Sequence, residues 1–161
     1  MLLTASRVRR SLNTFDEVTP MNLADERIQR FLGSRPVVVL ATLQADGAPL
    51  AMPMWFIHDA TAIAMITIEG TQKVRNLRRD PRVCVVAEAG GDPGSEGGVR
   101  GVSVHGRAEF VTDATERRAL ADRFLTKYHP RVEQLWSGRV MPPDRLAFRI
   151  RPDRVRSWGL N

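Results

Sequence analysis

The sequence predicts a mainly β fold with helices, in the simplest form a small antiparallel barrel with helices at its ends. Two observations support this prediction. Short apolar, β-branched runs cut by turn residues follow one another from Pro36 onward, and only two or three segments show a helical period. With 161 residues, the chain has the length of one domain and can close a core without disulfides or a structural metal.

The first twenty residues differ from the rest of the chain. They show neither a helical nor a strand period and end at Pro20, so we interpret residues 1–20 as a loose arm before a single domain of residues 21–161. Two origins stay open for this arm: upstream sequence ahead of a natural start at Met21, or a targeting segment.

The helical segments are two short ones and one long one. NLADERIQRFLG predicts a short amphipathic helix that begins after Asn22 as N-cap and stops at Gly33. TQKVRNLRRD predicts a second, and TDATERRALADRFLTKYHP predicts the main helix, opened by a capping box of Asp113 and Glu116. The main helix is expected to bury one face, made of Ala119, Leu120, Phe124 and Leu125.

Six or seven strands are expected. VVVLATL, PLAMPMWFI and AIAMITI predict three antiparallel strands joined by tight turns, RVCVVAEA and VRGVSVHGRAEFV predict two more, and RLAFRIRP and RVRSWG close the chain as strands. Residues 90–98, GGDPGSEGG, contain five glycines and predict a flexible connection, with a lid over a site as the alternative.

Composition excludes several classes of protein. The single cysteine, Cys84, lies inside an apolar run and allows no disulfide framework, which favours a reducing cytoplasm. No segment resembles a secretory signal or a membrane span. His58, His105 and His129 stand far apart, and we find no nucleophile motif and no pair of acids suited to acid–base work, so we assign no catalytic residue and no metal ligand. Any reaction would therefore depend on a cofactor that the protein binds and orients.

The basic character of the chain is concentrated in one segment. The chain carries a net charge of +6, and residues 70–83, GTQKVRNLRRDPRV, hold five cations against the single acid Asp80. Thr71 is expected as the N-cap of the helix, so the free N–H groups of its first turn lie beside Gln72 and Lys73. A lysine at a helix start opposes the helix dipole, which favours a bound phosphate there. Nucleic acid is the disfavoured alternative, because no aromatic residue interleaves these cations.

The same segment carries a family resemblance. An apolar strand that ends in Thr67, a turn with Gly70, the residues TQK and the run VRNLRRDPRV, preceded by GAPLAMPMWFI, resemble the pyridoxamine 5'-phosphate oxidase-like superfamily, specifically its flavin or deazaflavin F420-dependent oxidoreductase branch. The ending RVRSWG also recurs in similar chains. The resemblance extends from about Met21 to Gly159.

This resemblance implies a split β-barrel homodimer that binds a flavin-type cofactor at the subunit interface and acts on a small-molecule substrate. Large apolar side chains near strand ends, such as Phe56 and Trp136, also favour a dimer. In the family, a strand-end threonine and the lysine of the following turn hold the cofactor phosphate, and the strand with MPMWF passes beside the ring system. The cofactor-binding residues so implied are Met52, Pro53, Trp55, Thr67, Thr71, Gln72, Lys73, Asn76 and Trp158.

The sequence also departs from the vitamin B6 oxidases of the superfamily. Those enzymes carry an arginine where this chain has PLAMPM, another where Gln72 stands, and a C-terminal arginine motif for the substrate phosphate. Relatives that use F420 lack these residues, and an F420 polyglutamate tail would suit a basic face of Arg75, Arg78 and Arg79. The resemblance therefore implies hydride transfer between reduced F420 and an unsaturated organic substrate. An FMN-dependent reductase or oxidase, or a non-catalytic flavin or tetrapyrrole-binding protein, stays as the alternative.

Overall fold

The structure is a computed structural model, and it describes residues 19–90 and 98–160. The described chain forms eight strands and four helices, so the mainly β prediction is confirmed with one strand and one helix more than expected. The helices are α1 (Glu26–Gly33), α2 (Gln72–Arg79), α3 (Ala114–Tyr128) and α4 (Arg131–Trp136). The strands are β1 (Thr19–Met21), β2 (Val38–Leu43), β3 (Pro49–Met54), β4 (Ile57–His58), β5 (Ile63–Ile68), β6 (Arg82–Ala89), β7 (Arg100–Phe110) and β8 (Arg145–Trp158).

All strands belong to one antiparallel sheet with the order β3-β2-β6-β7-β8-β5-β4, and β1 pairs with β8 outside this path. The two edges of the sheet, β3 and β4, are joined by only Trp55 and Phe56. Because three Cα–Cα steps span at most about 11 Å, the sheet must curl until its edges approach each other. The result is the split barrel that the resemblance implies, and the junction of Trp55 and Phe56 marks its seam.

Side chains alternate between the two faces of each strand, and the core lies on the concave face of the curled sheet. β6 buries Val83, Val85, Ala87 and Ala89 and turns the intervening side chains outward. These residues join the inward rows of β2, β5, β7 and β8 and the buried face of α1 in one apolar cluster. A second, smaller cluster lies between the outer face of β5 and helices α3 and α4.

Two predictions about the strands were wrong. The third apolar run, β5, does not pair with β3 but crosses the barrel to lie between β8 and β4. The last two predicted strands are one strand of fourteen residues, β8, which pairs with β7 across a bulge at His105 and Gly106. Glycine is required at this bulge, because a Cβ on Gly106 would lie 2.1 Å from the carbonyl oxygen of Arg151.

Helix boundaries and faces also differ in detail. The N-cap of α1 is Asp25, whose carboxylate accepts from Arg27 N at 2.9 Å, and Asn22 instead accepts from Ala24 N in the preceding turn. α1 runs through Gly33, and Ser34 is its C-cap. Asp113 caps α3 as predicted, but Ala119 is exposed. The buried face of α3 is displaced toward its C-terminus and consists of Ala121, Phe124, Leu125 and Tyr128.

The predicted arm meets the described chain at its last two residues. The backbones of Thr19 and Pro20 pair with Ser157 and Arg156 of β8. The rest of the arm, residues 1–18, lies outside the described residues, as do residues 91–97 of the glycine loop, so neither alternative for that loop is tested.

Candidate functional site

The turn between β5 and α2 is built by a few local contacts. Gly70 has a φ of 80°, a left-handed conformation that a glycine adopts without strain. Thr71 follows as the N-cap, as predicted, but its hydroxyl donates to the carbonyl of Ile68 at 3.1 Å and does not cap the helix. The first-turn N–H groups of α2 therefore have no side-chain cap from Thr71, which leaves them available for an anion.

Each arginine of the basic segment is already engaged by the protein. Arg75 folds back over the turn and donates to Gln72 Oε1 at 2.7 and 3.1 Å and to the carbonyl of Gly70 at 2.6 Å. Arg78 forms an ion pair with Glu69 at 2.9 Å, and Arg79 donates to the carbonyl of Leu43. Farther along, Arg82 pairs with Asp80 at 2.6 Å, and its hydrogen bonds hold the pKa of that carboxyl at about 2.

Lys73 differs from these arginines. It is half-buried in the first turn of α2, and it makes no hydrogen bond or ion pair with any side chain in residues 19–90 and 98–160. Burial lowers the pKa of its ammonium below the ordinary value, with no carboxylate to offset the loss of hydration. A cation in this state is stabilised by an anion, so Lys73 is the member of the segment best placed to bind one.

Thr67 and Asn76 occupy the buried side of the same turn. Thr67 is buried on the inward row of β5, directly before the strand ends. Asn76 is completely buried, where its amide donates to Thr42 Oγ1 at 3.0 Å and accepts from Gln72 Nε2 at 2.9 Å. Asn76 therefore attaches α2 to β2 and positions Gln72, and its amide has no exposed surface with which to contact a ligand.

The two predicted residues of β3 face opposite sides of the sheet. Met52 lies opposite Leu40 and packs against the core, whereas Pro53 lies opposite Val39 on the outer face and is exposed. Only one of these two side chains can therefore contact a cofactor that lies on a given side of the sheet. Proline is tolerated here because β3 is an edge strand, whose outer N–H groups have no partner strand.

Trp55 belongs to a contact network that the sequence did not reveal. Its ring stacks on that of Tyr128, with centroids 4.8 Å apart and an angle of 11° between the planes. The hydroxyl of Tyr128 accepts from Phe56 N at 2.8 Å and lies 2.8 and 2.9 Å from the carbonyl oxygens of Phe56 and Pro36. Tyr128 thus binds α3 to the barrel seam. No local pattern signals this role, because the partners lie about 70 and 90 residues earlier.

Lys127, beside Tyr128, is a second half-buried lysine. Its Nζ donates to the carbonyl of Phe56 at 3.0 Å and lies 3.7 Å from the centroid of the Phe56 ring. Burial lowers the pKa of Lys127 to about 8, although the contact with the ring face favours the charged form. Burial and the nearby cation of Lys127 also lower the pKa of His58, whose Nδ1 lies 3.0 Å from Gln29 Oε1.

Trp158 lies at the opposite end of the barrel from Lys73. It pairs with Gly101 at the start of β7, whereas Arg78 of α2 lies over the ring of Phe110 at the far end of that strand. The indole covers Gly101 so closely that a Cβ there would lie 2.1 Å from its Cζ2 atom. Ten residues of β7 separate these ends, about 30 Å along an extended strand, which is too far for Trp158 and Lys73 of one chain to share a phosphate.

Other functional classes find little support in the described chain. Cys84 lies 3.8 Å from His105, but burial raises the pKa of its thiol, which keeps it protonated and weakly nucleophilic. Within residues 19–90 and 98–160, no group of three or more His, Cys, Asp or Glu side chains is arranged to bind a metal ion. None of the helices in these ranges combines the length and the apolar character that a membrane span requires.

Comparison with solved structures shows similar folds in several bacteria. A conserved hypothetical protein of Mycobacterium tuberculosis is 32% identical, with 85% of each chain covered and a TM-score of 0.71. A heme storage protein of Vibrio cholerae is 17% identical over 88% of this chain and 98% of its own, with a TM-score of 0.70. A FAD-binding protein of Mesorhizobium loti is 21% identical over 88% and 97%, with a TM-score of 0.66. For the Vibrio cholerae and Mesorhizobium loti proteins, whose sequence identities are this low, the similarity concerns the fold alone.

Comparison with sequence families identifies the wider group. No curated protein sequence matches the chain significantly. The profile of the family named Pyridoxamine 5'-phosphate oxidase matches residues 24–159, which include every helix and all but the first strand of the described fold. This match agrees with the split barrel. The chain therefore belongs to the pyridoxamine 5'-phosphate oxidase family.

Proposed function

We propose that the protein is an F420-dependent oxidoreductase, which moves a hydride between the reduced deazaflavin and an unsaturated organic substrate. The observation that carries the proposal is Lys73, a half-buried ammonium at the uncapped start of α2 that has no carboxylate partner among the described residues. A cofactor phosphate would supply the missing negative charge. Its oxygens would accept from Lys73 and from the first-turn N–H groups of α2.

The surrounding residues fit such a phosphate in different ways. Thr67 and Thr71 bring hydroxyl groups to the two ends of the turn. Gln72 and Asn76 support the site indirectly, because they hold Arg75 over the turn and attach α2 to β2. We therefore ascribe positioning to the amide side chains, and direct contact with the phosphate to Lys73 and the backbone.

The cofactor would supply the redox chemistry, and this chain would bind and orient it. The two acids that flank α2 in the sequence, Glu69 and Asp80, form ion pairs with Arg78 and Arg82. Neither carboxylate is placed to exchange a proton with a substrate while it is paired. Binding and orientation are therefore the contributions that we ascribe to the protein.

The choice of F420 over FMN rests on the sequence resemblance and on one accessible cation. Arg75 and Arg79 donate to backbone carbonyls and give little to a polyglutamate tail. Arg78 is held by a surface ion pair in which both side chains are about half exposed. Such pairs contribute about 0–1 kcal/mol, so a glutamate of the tail can replace Glu69 at small cost. FMN, which has no such tail, is the alternative cofactor on the same barrel.

We further propose that the active form is a homodimer. The aromatic residues that first favoured a dimer are mostly covered within one chain: Phe56 is completely buried, and Trp55 stacks on Tyr128. Support comes instead from the outer face of β2, where Val37 and Val39 expose 38% and 42% of their surface beside Pro53 of β3. Light scattering at low concentration should give twice the chain mass, and an active monomer would contradict the proposal.

The cofactor proposal is tested by titration of the purified protein with F420 and with FMN, followed by the fluorescence of each chromophore. Lys73→Ala should weaken binding of the preferred cofactor by about 1.5–3 kcal/mol, roughly tenfold to a hundredfold, and leave folding intact. Arg78→Ala is the matched control: it should weaken F420 with a long tail, in a salt-sensitive way, and leave FMN unchanged. Affinity for neither chromophore, or equal losses in both variants with FMN, would contradict the phosphate site.

A further inference from the structure

A cavity lies at the end of the barrel opposite α2. It has a volume of about 430 Å³ and opens between α1, the start of β7 and the residues that follow β8. Its lining combines four arginines with two apolar residues: Arg27, Arg30, Arg35, Arg100, Phe31 and Leu160. The four cations come from two separate parts of the chain, residues 27–35 and the start of β7, which the fold brings around one concave surface.

Among the described residues, most of this positive charge has no acidic partner. Arg27 is neutralised by Asp25, with two contacts of 3.1 Å. Arg30 follows Glu26 by one helical turn, yet neither its guanidinium group nor that of Arg100 forms an ion pair or hydrogen bond with any described residue. Arg35 contacts the carbonyl of Glu88 at 3.4 Å and lies 5.5 Å from the ring centroid of Phe31, again without a carboxylate.

Three uncompensated guanidinium groups around one cavity repel each other, and a bound anion relieves this repulsion. A single monovalent anion would compensate one of them, so the arrangement favours a ligand with several negative groups. Guanidinium groups bind both carboxylates and phosphates in a two-point geometry. Phe31 and Leu160 add an apolar surface beside the charges, which suits a ligand with a hydrocarbon or ring portion.

We propose that this arginine-lined cavity binds a small molecule that carries at least two carboxylate or phosphate groups on an apolar frame. The site is separate from that of Lys73, because the length of β7 lies between them. It also does not depend on the identity of the cofactor at α2. The protein would thus recognise two anionic ligands at opposite ends of its barrel.

Calorimetric titration of the full chain with citrate, trimesate (benzene tricarboxylate), pyrophosphate and acetate tests the proposal. At least one multivalent anion should bind, acetate should not compete, and trimesate should bind more tightly than citrate if the apolar surface contributes. Arg30→Gln and Arg100→Gln should each weaken binding by about tenfold, since each removes a charge-assisted contact. Both residues are exposed, so the melting temperatures of these variants should stay unchanged.

Two further variants locate the binding. Arg131→Gln removes an exposed cation at the start of α4, and Lys73→Ala removes the cation of the other site, so both should retain full affinity for the multivalent probe. The proposal is overturned if no probe binds, if acetate binds as well as trimesate, or if Arg131→Gln weakens binding as much as Arg100→Gln. Loss of binding in Lys73→Ala would show that the probe binds at α2. That result would overturn the arginine-lined site and leave the proposed phosphate site at Lys73 standing.

Discussion

The hydroxyl of Tyr128 offers the sharpest test of how the barrel is closed. Tyr128→Phe keeps the ring stacked on Trp55 and removes only the oxygen that accepts from Phe56 N and bonds to the neighbouring carbonyls. One lost hydrogen bond contributes about 1 kcal/mol, and a buried N–H left without a partner adds about 1–3 kcal/mol. We therefore expect a loss of about 2–4 kcal/mol in the free energy of unfolding, which lowers the melting temperature by roughly 5–12 °C.

Chemical denaturation measures this loss, and Thr126→Val serves as the control. Thr126 lies on the same helix, but its hydroxyl bonds to the carbonyl of Asp122 on the exposed side, so its removal should change stability by about 0.5 kcal/mol or less. A loss in Tyr128→Phe as small as that of the control would refute the assignment of Tyr128 to the seam.

The Tyr128→Phe substitution should also change how the stability of the protein depends on pH. Burial raises the pKa of Tyr128 to about 12 from an ordinary value of 10.0. Because the raised pKa belongs to the folded state, the hydroxyl ionises at lower pH in the unfolded chain than in the folded one. The unfolded state is therefore stabilised relative to the folded state as pH rises from 10 to 12. The wild type should therefore lose stability over this window relative to Tyr128→Phe, and the difference between them should narrow. A constant difference would mean that the hydroxyl is not buried.

Four further outcomes are expected. Lys127→Met should change the pH dependence of stability: the folded-state pKa of about 8 lies below that of the unfolded chain, so the wild type should gain stability relative to the variant as pH rises from about 8 to 10.5, and parallel curves would refute this. Gly101→Ala should cost about 1–3 kcal/mol by overpacking; a Trp158→Ala background should relieve the larger part of this cost, and the contact of 2.9 Å with the carbonyl oxygen of Ala87 should keep the rest. Gly106→Ala should have no such rescue, because the clash is with a backbone oxygen; a rescue by side-chain truncation would contradict it. Deletion of residues 1–20 removes most of β1 and should lower the melting temperature by a few degrees.

Features that depend on a few neighbouring residues were predictable from the sequence. The apolar run RVCVVAEA predicted a strand, and β6 covers the same eight residues; TQKVRNLRRD likewise predicted the helix α2. The cap at Asp113 was equally local. In each case, the period or the cap is a property of consecutive residues, so no tertiary information was needed.

Features that depend on distant partners were not predictable in this way. The apolar run of β5 is compatible with either neighbour, and only the closed sheet decides that it pairs with β8. The arginines of α2 looked alike in sequence, but Arg78 pairs with Glu69 and Arg75 with Gln72, which leaves Lys73 distinct. The resemblance indicated Lys73 as a phosphate ligand. Only the fold shows why Lys73 differs from the neighbouring arginines, because it shows that those arginines are bound to other groups of the protein.

The pairing of β5 with β8 has a consequence for how the chain is made. β5, IAMITI, contains no charge and no proline, and within the described chain its only other partner is the two-residue strand β4. During synthesis, one edge of β5 therefore stays without hydrogen-bonding partners until the much later β8 has emerged. An uncharged apolar strand with an open edge is prone to pair with other chains, which makes this interval the period of greatest risk of aggregation. Chaperone demand in the cell should accordingly depend on the timing of this one long-range pairing, and a charged residue at Ile68, the exposed last residue of β5, should reduce aggregation without changing the folded state.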